Sequence, residues 1–142
     1  MAENAAITTT THINFRGSAR QALGFYQTVF GGQLNLVTNQ EAGEEHGPGE
    51  ADQIIWGQLA DGQGFRVMAY DVPASKPWHA GENAYFVALE GDTAERVAEH
   101  WNKLAEGATI VQPLGPAKWS ALYGMLKDRF GVLWALSVVQ KY

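Results

Sequence analysis

The side chains best suited to chemistry lie near the start of the sequence, where His12 and Asn14 alternate with Ile13 and Phe15. Successive side chains of a strand point to opposite faces. If Ile13 and Phe15 pack under a helix, His12 and Asn14 face the other way. Three roles are open for His12: a metal ligand, a hydrogen-bonding residue that faces a cavity, or a partly exposed strand histidine.

The elements that must position these residues are repeated along the chain. HINFRGS at 12–18 matches FVALEGD at 86–92, and each match is followed by an apolar stripe with helical spacing. Ser18 and Asp92 are the predicted N-caps, because each is followed three residues later by Gln or Glu. The second helix is predicted to end at Gly107, and the first also ends at glycine. A strand followed by a helix is therefore predicted twice.

A second internal match concerns the hairpins. IIWGQLADGQGFRVMAYDV at 54–72 aligns with ALYGMLKDRFGVLWALSVV at 121–139, and in both copies Asp and Gly separate two strand-like runs. The predicted unit is thus one strand, one helix and three strands. Each helix covers one sheet face, so the opposite face is free to line a cavity. We predict one α+β domain with the following bounds: domain 1–142, first βαβββ module 8–73, linker 74–82, second βαβββ module 83–139.

Composition excludes several classes of function. The chain has no cysteine, which rules out disulfides, thiolate zinc sites and cysteine nucleophiles. Its 10 Lys and Arg against 15 Asp and Glu give a net charge of −5, and the basic residues are scattered, which argues against a nucleic-acid partner. MAENAAITTT does not read as a secretion signal and no long apolar run follows, so we expect a cytoplasmic protein without membrane spans.

Three motifs carry a resemblance to a known family: THINFRGSARQALGFYQTVFGG, RVMAYDVP and KWSALYGMLKDRFGVLWALSVV. They resemble the vicinal oxygen chelate superfamily, which includes glyoxalase I, bleomycin resistance proteins and extradiol dioxygenases. Within it the chain is most similar to the PhnB-like group, often labelled 3-demethylubiquinone methyltransferases. The resemblance covers nearly the entire chain. It implies two tandem βαβββ modules that form a curved mixed-sheet half-barrel around a cavity, usually in a homodimer that sometimes exchanges modules.

The resemblance also implies where a metal would bind. Carried onto this sequence, the four ligand positions are His12, Met68, Phe86 and Ala135. A protein-bound divalent metal needs three or four N, O or S donors, and a thioether binds hard ions poorly. Since only His12 is a suitable donor, we predict no metal and no other cofactor. Glyoxalase or dioxygenase activity is therefore not carried over.

Further ligand-binding candidates come from the strand ends and the repeats. Beside His12 and Asn14 we predict Trp56, Met68, Tyr70, Asp71, Trp119 and Tyr123. Asp71 precedes Val-Pro and either orients a polar ligand or forms a turn or cap. Trp56 and Tyr123 are equivalent by the repeat and form either an aromatic wall or plain core. Trp119 resembles an aromatic residue typical of the subgroup.

Two functions follow. The first is metal-free binding or sequestration of a small aromatic or amphipathic molecule in the cavity, by a homodimer. The alternative is a glyoxalase-like lyase or isomerase. It would use His12 as general base with Asp71 or Asn14 assisting, or a metal site built outside the usual four positions.

Overall fold

A computed structural model describes residues 7–139 of the chain. Residues 1–6 of MAENAAITTT lie outside this range, and so does the expectation that this segment is not a secretion signal. None of the helices in the described range has the length and hydropathy that a membrane span requires. The elements are β1 Thr11–Phe15, α1 Ala19–Phe30, β2 Gln33–Thr38, α2 Asn39–Ala42, β3 Ile54–Ala60, β4 Arg66–Asp71, β5 Val87–Gly91, α3 Ala94–Leu104, β6 Thr109–Ala117, β7 Ser120–Lys127 and β8 Leu133–Val138.

The strands form two four-stranded mixed sheets with the same topology. Their orders are β1-β4-β3-β2 and β5-β8-β7-β6. In each sheet the first strand of the copy pairs in parallel with the last, and the remaining pairs are antiparallel. The predicted α+β class and the doubled strand, helix and three-strand pattern are confirmed. One feature lies outside the pattern: α2, a single turn that follows β2 behind a Thr38–Glu41 capping box.

The hairpin repeat is reproduced in detail. Asp61 Oδ1 accepts from the backbone N–H groups two and four residues further on, and Asp128 Oδ1 does the same in the second hairpin. An added Cβ at Gly57 would lie 2.7 Å from a methyl group of Leu23 on α1. At Gly124, the equivalent position, it would lie 2.8 Å from the ring of Trp101 on α3. In both copies a strand glycine therefore lets the helix approach the sheet.

The first strand of the repeat requires a correction. His12 lies opposite Met68, whereas Ala135, the equivalent of Met68, lies opposite Ala88. The counterpart of His12 is therefore Ala88, and the predicted match with Phe86 is wrong. Phe86 lies just before β5.

The match of HINFRGS with FVALEGD places Gly17 over Gly91, and these two glycines have different roles in the structure. Gly17 lies in the turn after β1 with a φ of +94°, a conformation that favours glycine. Gly91 is the last residue of β5, and a Cβ there would lie 2.6 Å from Val97 on α3. One glycine allows a turn and the other allows a close approach of strand and helix, so their match in sequence does not mark equivalent positions.

The helix caps also differ from the prediction. In the second copy the N-cap of α3 is Thr93, whose side chain accepts from the N–H of Arg96, and not Asp92. Only two residues join β5 to α3, whereas three join β1 to α1. The shorter connection places the residue after Asp92 at the start of the helix.

In the first copy the start of α1 is capped from a distant strand. Asp71, at the end of β4, accepts through Oδ1 from the N–H groups of Gly17 (2.7 Å) and Ala19 (3.0 Å). Its Oδ2 accepts from the N–H of Ile54 at 2.9 Å. Ser18 lies directly before α1, where its carbonyl accepts from the N–H of Ala22, and Asp71 adds acceptors for the N–H groups on either side of it. One buried carboxylate joins the start of α1, the start of β3 and the end of β4.

The chain forms two compact units. One comprises the residues up to Leu23 together with Gly32–Lys76, and the other comprises Gly24–Gly31 together with the residues from Pro77 onward. The break between Lys76 and Pro77 falls inside the segment 74–82, which we predicted as linker. The second half of α1 belongs to the same unit as α3 and the second sheet.

The second unit is organised around a buried polar group. Tyr26 Oη donates to Asp128 Oδ2 at 2.6 Å, and Trp134 Nε1 donates to the same oxygen at 2.9 Å. Tyr26 and Trp134 are fully buried, and Asp128 is 4% exposed. Burial raises the pKa of the Tyr26 hydroxyl, and the charge of Asp128 raises it further.

We predict that Asp71→Asn lowers the free energy of unfolding by about 2–4 kcal/mol, because an amide cannot accept from three backbone donors and its NH2 group would face one of them. Urea unfolding followed by tryptophan fluorescence measures the loss. Asp52→Asn removes the same charge from an exposed position and should leave the midpoint unchanged. Equal midpoints for the two variants would refute the capping role.

A second prediction concerns alkaline pH. In the unfolded chain a tyrosine ionises near pH 10, whereas the folded chain holds the Tyr26 proton to higher pH. The stabilisation is complete below about pH 10 and is lost as the pH rises above it. Tyr26→Phe should lower stability at neutral pH by about 1–3 kcal/mol and flatten the decline in stability above about pH 10.

Urea unfolding at several pH values measures both effects, with Tyr85→Phe as the exposed control. Parallel pH profiles for wild type and Tyr26→Phe would contradict this assignment.

Candidate functional site

The first sheet has one face packed in the core and one open face. Ile13 and Phe15 are buried, whereas His12 and Asn14 are exposed, which matches the predicted alternation. The strand pairing then identifies the residues that share this side of the sheet. We call this surface the open face; its strand residues are His12, Asn14, Gln33, Asn35, Val37, Trp56, Gln58, Ala60, Arg66, Met68 and Tyr70.

Two rows of side chains cross the open face. In the first row His12 lies opposite Met68, Met68 opposite Gln58, and Gln58 opposite Asn35. This row holds an imidazole, a thioether and two amides. The imidazole and the amides can form hydrogen bonds, and the thioether can form van der Waals contacts.

The second row is aromatic. Asn14 lies opposite Tyr70, and on the far side Trp56 lies opposite Val37. Trp56 is 39% exposed, which is high for a tryptophan in a strand. The exposure favours the predicted aromatic wall over the alternative of plain core.

His12 is held in place by two neighbours on the open face. Its Nδ1 lies 2.9 Å from Asn14 Oδ1, and its ring meets that of Tyr70 edge-on with centroids 5.7 Å apart. An amide oxygen only accepts, so Nδ1 is the donor in this pair and Nε2 is left for another partner. The imidazole is thus oriented by its surroundings while remaining exposed to a ligand.

Asp71 does not belong to this surface. It is 5% exposed and points to the core side of the sheet, where its oxygens accept three backbone N–H groups. This geometry favours the capping role that the sequence left as an alternative. Asp71 supports the open face indirectly, by fixing the strand next to His12.

The remaining candidates lie in the second unit. Trp119 is in the turn between β6 and β7, is 57% exposed, and contacts Tyr123 edge-on with ring centroids 5.2 Å apart. Tyr123 lies opposite Ser137 on β8. Trp119 is exposed and Tyr123 is half-buried, so the second unit contains one pair of aromatic candidates of its own.

Six open-face residues were not among the predicted site residues: Gln33, Asn35, Val37, Gln58, Ala60 and Arg66. Alternation within β4 places Arg66 on the same face as Met68. Gln58 and Asn35 join the row of His12 through the strand pairing. These two amides could be identified only from the register between strands.

The donor set does not fit a metal ion. With the corrected register the four family positions are His12, Met68, Ala88 and Ala135, of which only His12 offers a nitrogen or oxygen donor. Among residues 7–139 there is no group of three or more His, Asp or Glu side chains placed to hold a metal. We therefore derive no chemical step through a metal at these positions.

Comparison with solved structures supports the same fold. The protein PA1353 from Pseudomonas aeruginosa has a TM-score of 0.82 and 29% identity, with 96% of this chain and 100% of that chain covered. A putative 3-demethylubiquinone-9 3-methyltransferase, PhnB protein, from Bacillus cereus has a TM-score of 0.73 and 26% identity over 94% and 100% of the chains. A glyoxalase/bleomycin resistance protein/dioxygenase family enzyme from Burkholderia phytofirmans PsJN, at 20% identity and a TM-score of 0.61 over 95% and 100%, shares the fold.

Comparison with curated proteins gave no match. The model of the Glyoxalase/Bleomycin resistance protein/Dioxygenase superfamily, however, matches residues 10–136, which is most of the chain. With the doubled topology and the structural neighbours, this match settles the family. The chain belongs to the glyoxalase/bleomycin resistance protein/dioxygenase superfamily.

Proposed function

We propose that this chain binds a small planar molecule on the open face, with its own side chains and without a protein-bound metal. The observation that supports this most directly is the arrangement of His12, Asn14 and Tyr70 beside the exposed Trp56. An oriented imidazole and an exposed indole on the same face of one sheet offer one directional hydrogen bond and one stacking surface, the combination typical of small-molecule sites.

The free energy gained by covering the exposed indole of Trp56 favours ligand binding over a purely structural role. An exposed indole on a sheet leaves apolar area in water, and a planar ligand that covers it removes that area. The polar row supplies specificity, because an amide or imidazole left unpaired under a ligand costs affinity. A ligand with a planar ring and hydrogen-bonding groups satisfies both rows.

One observation supports the alternative, a metal-independent lyase or isomerase. Because Nδ1 of His12 is bound to Asn14, Nε2 is free to accept a proton from a bound substrate, as a general base requires. Within residues 7–139 no carboxylate hydrogen-bonds to His12 and strengthens it as a base, since Asp71 lies on the core side. We rank this reading second.

The binding proposal is tested with naphthylpropanamide, a neutral bicyclic probe, by calorimetry. Trp56→Ala should weaken binding about three- to ten-fold, since aromatic contacts contribute about 0.5–1.5 kcal/mol beyond area. Tyr85→Ala removes a more exposed aromatic side chain from outside the open face and should leave the affinity unchanged. Addition of a chelator should also have no effect.

Three results would count against the proposal: no binding by wild type, equal losses in the two variants, or stoichiometric divalent metal in the purified protein. The enzyme alternative has its own readout with 2-hydroxyacetophenone in D2O. If His12 acts as a base, the protein accelerates deuterium exchange at the carbon next to the carbonyl group, and His12→Gln abolishes this.

We also propose that the chain forms a homodimer through β6. This strand lies at the end of its sheet, pairs only with β7 and has register shifts along it. Ile110 and Val111 are successive residues of β6, yet both are exposed, at 44% and 55%. An exposed apolar edge strand is a hazard that proteins cover, and a second copy would cover it.

Sedimentation velocity across a concentration series tests the dimer. Val111→Lys should shift the equilibrium toward monomer, because a lysine in an apolar interface loses hydration without a partner. Ile7→Lys is the control, since Ile7 is 99% exposed and lies outside β6. A wild-type chain that stays monomeric at every concentration, or a Val111→Lys variant that dimerises normally, would rule out this interface.

A further inference from the structure

Arg66 is the one charged side chain among the strand residues of the open face. It opens β4, and the burial of Val67, Ala69 and Asp71 places Arg66 on the same side as Met68 and Tyr70. The rest of the open face is polar but uncharged or apolar. The open face therefore carries positive charge at the Arg66 end of β4 and none at the Tyr70 end.

The guanidinium group has no acidic partner in the described part of the chain. Its Nη2 donates to Thr8 Oγ1 at 2.9 Å, and the ion pairs of residues 7–139 involve other side chains. A hydroxyl accepts a hydrogen bond without neutralising the charge. The residue opposite on β3 is Ala60, whose methyl group carries no charge.

Spacing along β4 relates this charge to the two rows. Strand residues advance about 3.3 Å each, so the Cα of Arg66 lies roughly 7 Å from that of Met68 and roughly 13 Å from that of Tyr70. The long arginine side chain can lean along the strand and shorten the second distance. A ring over the aromatic row and an anionic group at Arg66 can therefore belong to one small molecule.

We propose that the ligand is a planar aromatic anion, with its ring over Trp56 and Tyr70 and a carboxylate or similar group at Arg66. The inference rests on the proposed binding function and adds the ligand's charge class and its orientation. Arg66 supplies a charge-assisted hydrogen bond, which is stronger than a neutral one and disfavours ligands with a cationic group at this end.

The test compares naphthylpropanoate with naphthylpropanamide, which share the same ring and spacer and differ in charge. Calorimetry should show that wild type prefers the carboxylate by about five-fold, the upper range for a solvent-exposed charge pair. Arg66→Gln should abolish the preference, while Arg66→Lys should retain part of it. Higher salt should reduce the preference.

Arg96→Gln is the matched control, because it removes an exposed arginine from α3, and it should keep the full preference. Melting curves verify that each variant folds. Amide and carboxylate that bind wild type equally well would overturn the charge inference and leave the binding function intact. A preference that survives in Arg66→Gln would overturn it as well. Failure of both probes to bind would overturn the binding function itself.

Discussion

The geometry of the open face depends on the parallel pairing of β1 with β4, which Asp71 fixes. That pairing places His12 beside Met68 and Asn14 beside Tyr70. A slip by one residue would turn every side chain of β1 to the other face. Asp71 opposes such a slip because its two oxygens accept from residues on either side: Gly17 and Ala19 after β1, and Ile54 at the start of β3. Asp71 lies outside the open face, yet its hydrogen bonds fix the positions of His12 and Asn14 within it.

In the second copy, different residues cap the helix and hold the strands together. At the position of Asp71 it has Val138, whose side chain cannot accept a hydrogen bond, and α3 is capped locally by Thr93. Its buried carboxylate lies instead in the hairpin, where Asp128 accepts from Tyr26 and Trp134 as well as from the turn. Each copy contains a buried aspartate whose carboxylate accepts several hydrogen bonds, but the two aspartates occupy different positions in the repeat.

The sequence predicted what depends on local periodicity. Helical stripes, the glycine that ends α1 and the Asp-Gly hairpins follow from residues close together in the chain, and the structure contains them. The predicted end of the second helix at Gly107 is wrong, because α3 ends at Leu104 with Ala105 as its C-cap. The caps and the first-strand register could not be obtained in this way. The partners of Asp71 are 17 to 54 residues distant along the chain, and the match of Gly17 with Gly91 confused a turn glycine with a close-packing glycine.

The same limit applied to the candidate site. Alternation along β1 was enough to predict that His12 and Asn14 face away from the core, because a single strand determines it. Membership of Gln58 and Asn35 in the open face depends on the pairing of neighbouring strands, which no local pattern specifies. Arg66 follows from alternation within β4 once Met68 is placed on this face. The amides of the polar row were therefore not predictable, whereas its aromatic neighbours and its one charge follow from single strands.

The two copies also differ in polarity across their equivalent rows. The row that holds His12, Met68 and Gln58 in the first sheet corresponds to Ala88, Ala135 and Met125 in the second. A metal at these positions would need three or four donors at once, and the two rows together supply few nitrogen or oxygen donors, all of them in the first copy. Donors concentrated in one copy instead favour recognition of a single ligand by hydrogen bonds, for which one oriented imidazole and its neighbouring amides are sufficient.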